Sequence, residues 1–177
     1  MTDCKHPTYK SVLIHASAVE YRGKALVFLG PSETGKSTIS QLLAATLDGA
    51  RVLADDKVNL DWQVGNGWTV SDGMPRFLQE RVGTQSISVM PHAPLGAIFR
   101  LYQAPLPQLR HLGSLETGLY LIKAFAEINR RQPADIAENK SYFASLAAVA
   151  KFAPGYEFYC DCSLQTVDVI QREAVLI

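Results

Sequence analysis

One continuous segment carries the strongest chemical signal in this sequence: Gly30, Pro31, Ser32, Glu33, Thr34, Gly35, Lys36, Ser37 and Thr38. Its Gly-x-x-x-x-Gly-Lys-Ser pattern matches the phosphate-binding loop without a mismatch. The glycines let the chain fold back until successive backbone N–H groups point inward at phosphate oxygens. A helix beginning near Lys36 aims its positive end at the same anion. Lys36 adds a point charge for the β- and γ-phosphates, and the Ser37 hydroxyl can ligate Mg²⁺. Glu33 is out of character, because a carboxylate beside a triphosphate repels it. It is expected to face solvent.

Asp55 and Asp56 end the next buried strand, where a phosphate-loop fold places the acids that face Mg²⁺ and the nucleophile. Neighbouring strand residues point to opposite faces. The strand must therefore bulge or end there if both acids are to serve one site. One would then face the phosphates and the other a metal-bound water or a backbone cap, so that Ser37 and Asp55 become the candidate metal ligands. His15 lies in the middle of an otherwise apolar strand, Ser11 to Val19. If that strand pairs beside the loop's own, the ring reaches Asp55 or Asp56 and tunes the carboxylate's protonation and orientation.

The elements that must hold these residues follow from periodicity. Ala25 to Leu29 reads as a short buried strand leading into the loop, after a tight turn at Tyr21-Arg22-Gly23-Lys24. Ile39, Leu42, Leu43, Thr46 and Leu47 form a helical stripe that Asp48-Gly49 stops. Arg51 to Ala54 is a strand, and Lys57 to Val64 alternates Val58, Leu60, Trp62 and Val64 on one face before a Gly65-Asn66-Gly67 hairpin turn. Residues 71–94 read as a long loop with room for one short helix, and Ala97 to Tyr102 as a strand. Ser114 opens a helix with Leu119, Ile122, Lys123 and Ala126 on its body, and Ala134 to Phe152 is a second. Tyr156 to Asp161 is the last strand, the Cys160-Asp161-Cys162 pattern is read as strand alternation and not as a metal site, and a helical tail follows Leu164.

Composition narrows the function classes. Over 177 residues, 47% are hydrophobic and 19% charged, so a full core can form without disulfide or metal staples. Lys plus Arg and Asp plus Glu number 17 each, which gives a nucleic-acid or anionic-membrane surface no basic excess to stand on. Three cysteines fit neither a secreted disulfide framework nor a zinc site. No apolar run reaches the ~18 residues that span a membrane, and the first ten residues do not resemble a signal peptide, so the expected location is the cytoplasm.

Together, IHASAVEYRGKALVFLGPSETGKST and RVLADDKV resemble the catalytic core of the HPr kinase/phosphorylase family. The likeness covers about residues 11–60 and rests on His15, the loop and the acid pair together. It implies a mixed-sheet α/β phosphate-loop domain of the HPr kinase C-terminal or phosphoenolpyruvate carboxykinase-like type, while the length of 177 residues and the lack of a linker or repeat make 1–177 one domain. It also implies ATP and Mg²⁺ as cofactors. His15 would assist catalysis, Gly30 to Ser37 would bind ATP, Ser37 would bind Mg²⁺, and Asp56 would accept the proton of an attacking serine. The sequence departs from the family in three places. Thr38 stands where an acid follows the loop's Ser, Glu33 sits where small residues are usual, and the metal-binding Glu-x-Arg-Gly signature is out of register at Gln79-Glu80-Arg81-Val82-Gly83. Glu80 as a metal ligand, phosphorylase activity and HPr as the acceptor are thereby left without support.

The leading expectation is a Mg²⁺-ATP-dependent kinase acting on a hydroxyl, with serine in a small protein or peptide as the expected acceptor. Homo-oligomerisation stays open. A nucleotide-binding regulatory module is one competing reading. A small-metabolite kinase is the other, and it would enclose a cationic pocket using Arg76 and Arg81, which otherwise read as surface charges.

Overall fold

The computed structural model describes residues 9–73, 91–129 and 136–173. The chain opens with a hairpin of β1 (Val12–Tyr21) and β2 (Lys24–Leu29). Its turn residues Arg22 and Gly23 have φ of 52° and 75°, the left-handed pair that matches strand twist in a two-residue loop. β2 is buried from Ala25 to Leu29 and delivers the chain to the phosphate loop, after which α1 (Lys36–Thr46) begins.

β3 (Arg51–Ala54) and β4 (Lys57–Gln63) both lie antiparallel to β1, β3 against Ala18–Glu20 and β4 against Val12–His15. Asp55 and Asp56 are the interruption between them. Ala16 N–H donates to the Asp56 carbonyl at 3.3 Å, and Asp56 takes a φ of 73°. The alternation of faces is broken at this point, which frees the two neighbouring acids from pointing to opposite sides.

β5 (Gly67–Asp72) returns along β4, and β6 (His92–Gln103) pairs with β5, β2 and β8 (Gly155–Cys160). Because β2 joins both β1 and β6, the strands β1, β4, β5, β6 and β2 close a ring. The β2–β6 and β6–β8 pairs are parallel and the others antiparallel, so the sheet is mixed. β7 (Gln108–Leu112) finishes it on β8. One core fills the β1–β4–β5 side against α2 (Ser114–Asn129) and α3 (Ile136–Phe152), through Ile14, Leu29, Trp68, Leu121 and Leu146. A second packs Phe28, Phe99 and Phe158 against Ile39 and Leu43 of α1 and Val167 and Ile170 of α4 (Leu164–Glu173). Two helical layers thus clamp the sheet, with the loop and acid turn at its rim.

Several expectations shift. Val64 lies beyond β4 and is exposed, because the Asn66 turn begins at Gln63. α2 buries Thr117, Leu121, Ala124 and Phe125, leaving Leu119 exposed, since the sheet is met by the neighbouring helical stripe. The 71–94 segment is strand at both ends, reaching Asp72 in β5 and starting β6 at His92. Cys162 is not on the strand: β8 ends at Cys160, and Cys162 sits in the following turn at a φ of 57°. β7 carries too little apolar alternation to be read from sequence, because it is an edge strand with only Leu112 buried. Among the described residues, no helix is long and apolar enough to cross a membrane.

Candidate active site

The loop is built from what its neighbours allow. A Cβ on Gly30 would come within 2.3 Å of Thr34 Oγ1, and one on Gly35 within 2.9 Å of Cys162 Sγ. Gly35 also has a φ of 94°, so both positions require glycine. Pro31 O accepts from Thr34 Oγ1 at 2.8 Å, which holds the bend. Ser17, buried on β1, donates to the Lys36 carbonyl at 2.9 Å and accepts from Ser40 at 2.7 Å. The first turn of α1 is thereby fixed to the sheet. That turn has no side-chain cap and no acidic residue. Its first N–H groups, which have no partner within the helix, face outward from a positive dipole end.

Lys36 is buried, and its Nζ donates to the carbonyls of Gly30 (2.8 Å) and Pro31 (2.9 Å). Burial pushes its pKa down, while Glu127 and Asp56 oppose that shift. A desolvated ammonium of this kind gains strongly from an arriving polyanion. Glu33 is exposed, as its charge demands, and is held at a φ of 68°. Its carbonyl accepts from Gln103 Nε2 at 3.0 Å. Glu33→Gly removes both the charge and an unfavourable backbone conformation, so ATP affinity by calorimetry should be equal or up to about fivefold tighter.

The acid turn divides its two side chains. Ser37 Oγ donates to Asp55 Oδ1 at 2.7 Å. Asp56 instead lies with its Oδ1 3.4 Å from Nε2 of His15, its side chain 71% exposed. A hydroxyl from solution can reach it. His15 sits on β1 opposite Lys57, and its other ring nitrogen, Nδ1, donates to the Glu127 carboxylate near the end of α2. Ser37 and Asp55 are hard oxygen donors side by side at the helix start. Mg²⁺ takes one or two such protein oxygens and completes its shell with phosphate and water, so the pair fits that ion. Among the described residues, no group of three or more His, Cys, Asp or Glu side chains could hold a metal without those outside ligands. Thr38 is exposed on the outer face of the same turn.

Two residues escaped the sequence reading. Arg100, on β6, pairs across from Leu29 and brings its Nη1 against Gly30. Its guanidinium lies 4.9 Å and 5.3 Å from the ring centroids of Tyr102 and Tyr120, and its Nε is buried with no hydrogen-bond partner among the described residues. The Tyr120 hydroxyl donates to buried Glu157, whose carboxyl is lowered to about 2, chiefly by its hydrogen bond from Arg110. The clamp around Arg100 is therefore itself anchored. Its signal was a charged residue inside the apolar run of β6. Glu127 is the other, an acid in the last turn of a helix, where the dipole favours a base.

These groups border two openings. A cleft of about 510 Å³ is lined by His15, Ser32, Asp56, Lys57 and Glu127. A pocket of about 240 Å³ is lined by Gly30, Arg100, Tyr120, Lys123 and Glu127. Glu80, Arg76 and Arg81 lie outside the described residues.

No family model matches the sequence, and no curated protein does. Among solved structures, the HPr(Ser) kinase/phosphatase from Coxiella burnetii matches with a TM-score of 0.50 and 12% identity, over 93% of this chain and 91% of that one. The chain has the HPr kinase-like fold, a mixed-sheet α/β arrangement as the sequence resemblance implied.

Proposed function

We propose that this chain is a Mg²⁺-ATP-dependent phosphotransferase that moves the γ-phosphoryl of ATP to a hydroxyl, that of serine in a small protein or peptide. The observation that carries this reading is the division of the acid turn, Asp55 on the Ser37 hydroxyl and Asp56 on His15 beside an open cleft. A site that only bound nucleotide would need the first acid and have no use for the second.

The loop N–H groups and Lys36 take the β- and γ-phosphates, in exchange for the carbonyls that Lys36 now holds. Ser37 and Asp55 would hold Mg²⁺, which supplies charge neutralisation at the phosphoryl oxygens. Asp56 takes the proton of the acceptor hydroxyl as the acceptor oxygen bonds to the γ-phosphorus and the bond to the β,γ-bridging oxygen breaks, releasing ADP. His15 steadies the Asp56 carboxylate, and Arg100 places a second cation beside Gly30. Most of the acceleration then comes from position and fixed charge. The open cleft suits a side chain presented by a protein or peptide better than an enclosed metabolite.

The test is incubation with γ-labelled ATP, Mg²⁺ and a dialysed protein fraction from the source cells, with phosphoamino-acid analysis of the product. Phosphoserine that forms with the wild-type chain and not with Asp56→Asn supports the reading. Label released only as inorganic phosphate would contradict it.

A further inference from the structure

His15 is held from both sides, and only one of its partners belongs to the loop and acid turn. Glu127 reaches it from α2, about four turns along from the helix's N-terminal anchorage at Gly113. An acid in the last turn of a helix opposes the macrodipole, and the last turn of α2 has no basic residue of its own. Helix stability is no reason for a carboxylate there. Its neighbours give one. Glu127 contacts His15 Nδ1, acts on Lys36 as the foremost of the carboxylates around it, and lines both the acceptor cleft and the pocket beside Gly30.

We propose that Glu127 is a positioning residue for phosphoryl transfer: by accepting the Nδ1–H of His15 it turns Nε2 toward Asp56 and so holds the base carboxylate at the mouth of the cleft. A carboxylate has no proton to donate, so the ring nitrogen facing Glu127 carries a hydrogen, and Nε2 holds Asp56 when it carries one as well. Without that anchor the imidazole is free to rotate about its side-chain bonds, and Asp56, with its side chain mostly in solvent, loses its contact with His15. Hydrogen-bond partners of metal-ligating histidines cost about 10–100-fold when lost, and the expected loss here is of the same order. The inference rests on the phosphotransfer reading above and adds the element that the loop and acid turn do not contain.

The test compares Glu127→Leu, which removes the acceptor, with His15→Ala, the double variant and the wild type. Glu127→Leu should lower kcat about 10–100-fold without a matching loss of calorimetric affinity for Mg²⁺-ATP. It should have no further effect on kcat once His15 is alanine, because the two residues act as a unit. Nitrogen-15 spectra of the His15 ring should show a hydrogen-bonded Nδ1–H in the wild type that is lost in Glu127→Leu. An unchanged kcat, an affinity loss as large as the kcat loss, or full additivity in the double variant would overturn the proposal, as would a ring spectrum indifferent to Glu127→Leu. A wild-type chain that transferred no phosphoryl group would instead defeat the phosphotransfer reading, while the ring spectrum would still decide whether Glu127 holds His15.

Discussion

Asp56→Asn should lower phosphoryl transfer by about 10²–10⁴-fold, the range for a positioned acid–base group, and leave Mg²⁺-ATP affinity unchanged. The amide is close in size to the carboxylate, and the left-handed φ of 73° at this position is tolerated by Asn as well as by Asp. The turn should therefore keep its shape. What is lost is the ability to take a proton and the attraction to His15, whose Nε2 lies 3.4 Å away. Nucleotide contacts come from the loop, from Lys36 and from the Ser37–Asp55 pair, none of which bonds to the Asp56 side chain. Single-turnover transfer alongside calorimetry checks both halves. A loss of binding equal to the loss of transfer would place Asp56 among the nucleotide ligands instead.

Lys36→Ala should weaken ATP binding by about 10²–10⁴-fold, enough to take it out of measurable range. Two charge-assisted contacts to phosphate at about 1.5–3 kcal/mol each, at about 1.4 kcal/mol per tenfold, give that span. The buried position of Lys36 raises its importance. Burial lowers its pKa, so the folded chain holds this ammonium at a cost that incoming phosphates offset. In the nucleotide-free protein the cost is met in part by the carbonyls of Gly30 and Pro31, which also makes Lys36 a brace for the loop. The fold should survive the substitution, since α1 remains tied to β1 through Ser17 and Ser40. Equal Mg²⁺-ATP affinity in wild type and variant, by calorimetry, would remove the loop from the nucleotide site.

The legibility of this site in the sequence follows contact order. Gly30 to Ser37 and the helix behind it are local, and each requirement of phosphate binding is met by a residue within one turn. The acids at Asp55-Asp56 were readable because a β-strand ends there, and the bulge follows from two neighbours serving one place. Arg100 and Glu127 enter from β6 and α2, far along the chain, and their placement depends on how the sheet closes through the β2–β6 pair. Neither has a motif. Each carries instead a local contradiction: a guanidinium in an apolar strand and a carboxylate at a helix C-terminus. Contradictions of that kind are expected at functional positions, where local preference yields to the site. The placement of Cys162 under Gly35 was hidden for a related reason, since a turn after β8, more than a hundred residues downstream, closes on the loop.

Calorimetric titration of ATP with and without Mg²⁺, on the wild type, Asp55→Asn and Asp56→Asn side by side, separates the two acids most directly. Mg²⁺ should strengthen ATP binding to the wild type and to Asp56→Asn by the same factor, and that strengthening should be lost in Asp55→Asn, whose amide is a poorer ligand beside Ser37. A Mg²⁺ response preserved in Asp55→Asn, or lost equally in both variants, would contradict the division of labour on which the phosphotransfer reading stands.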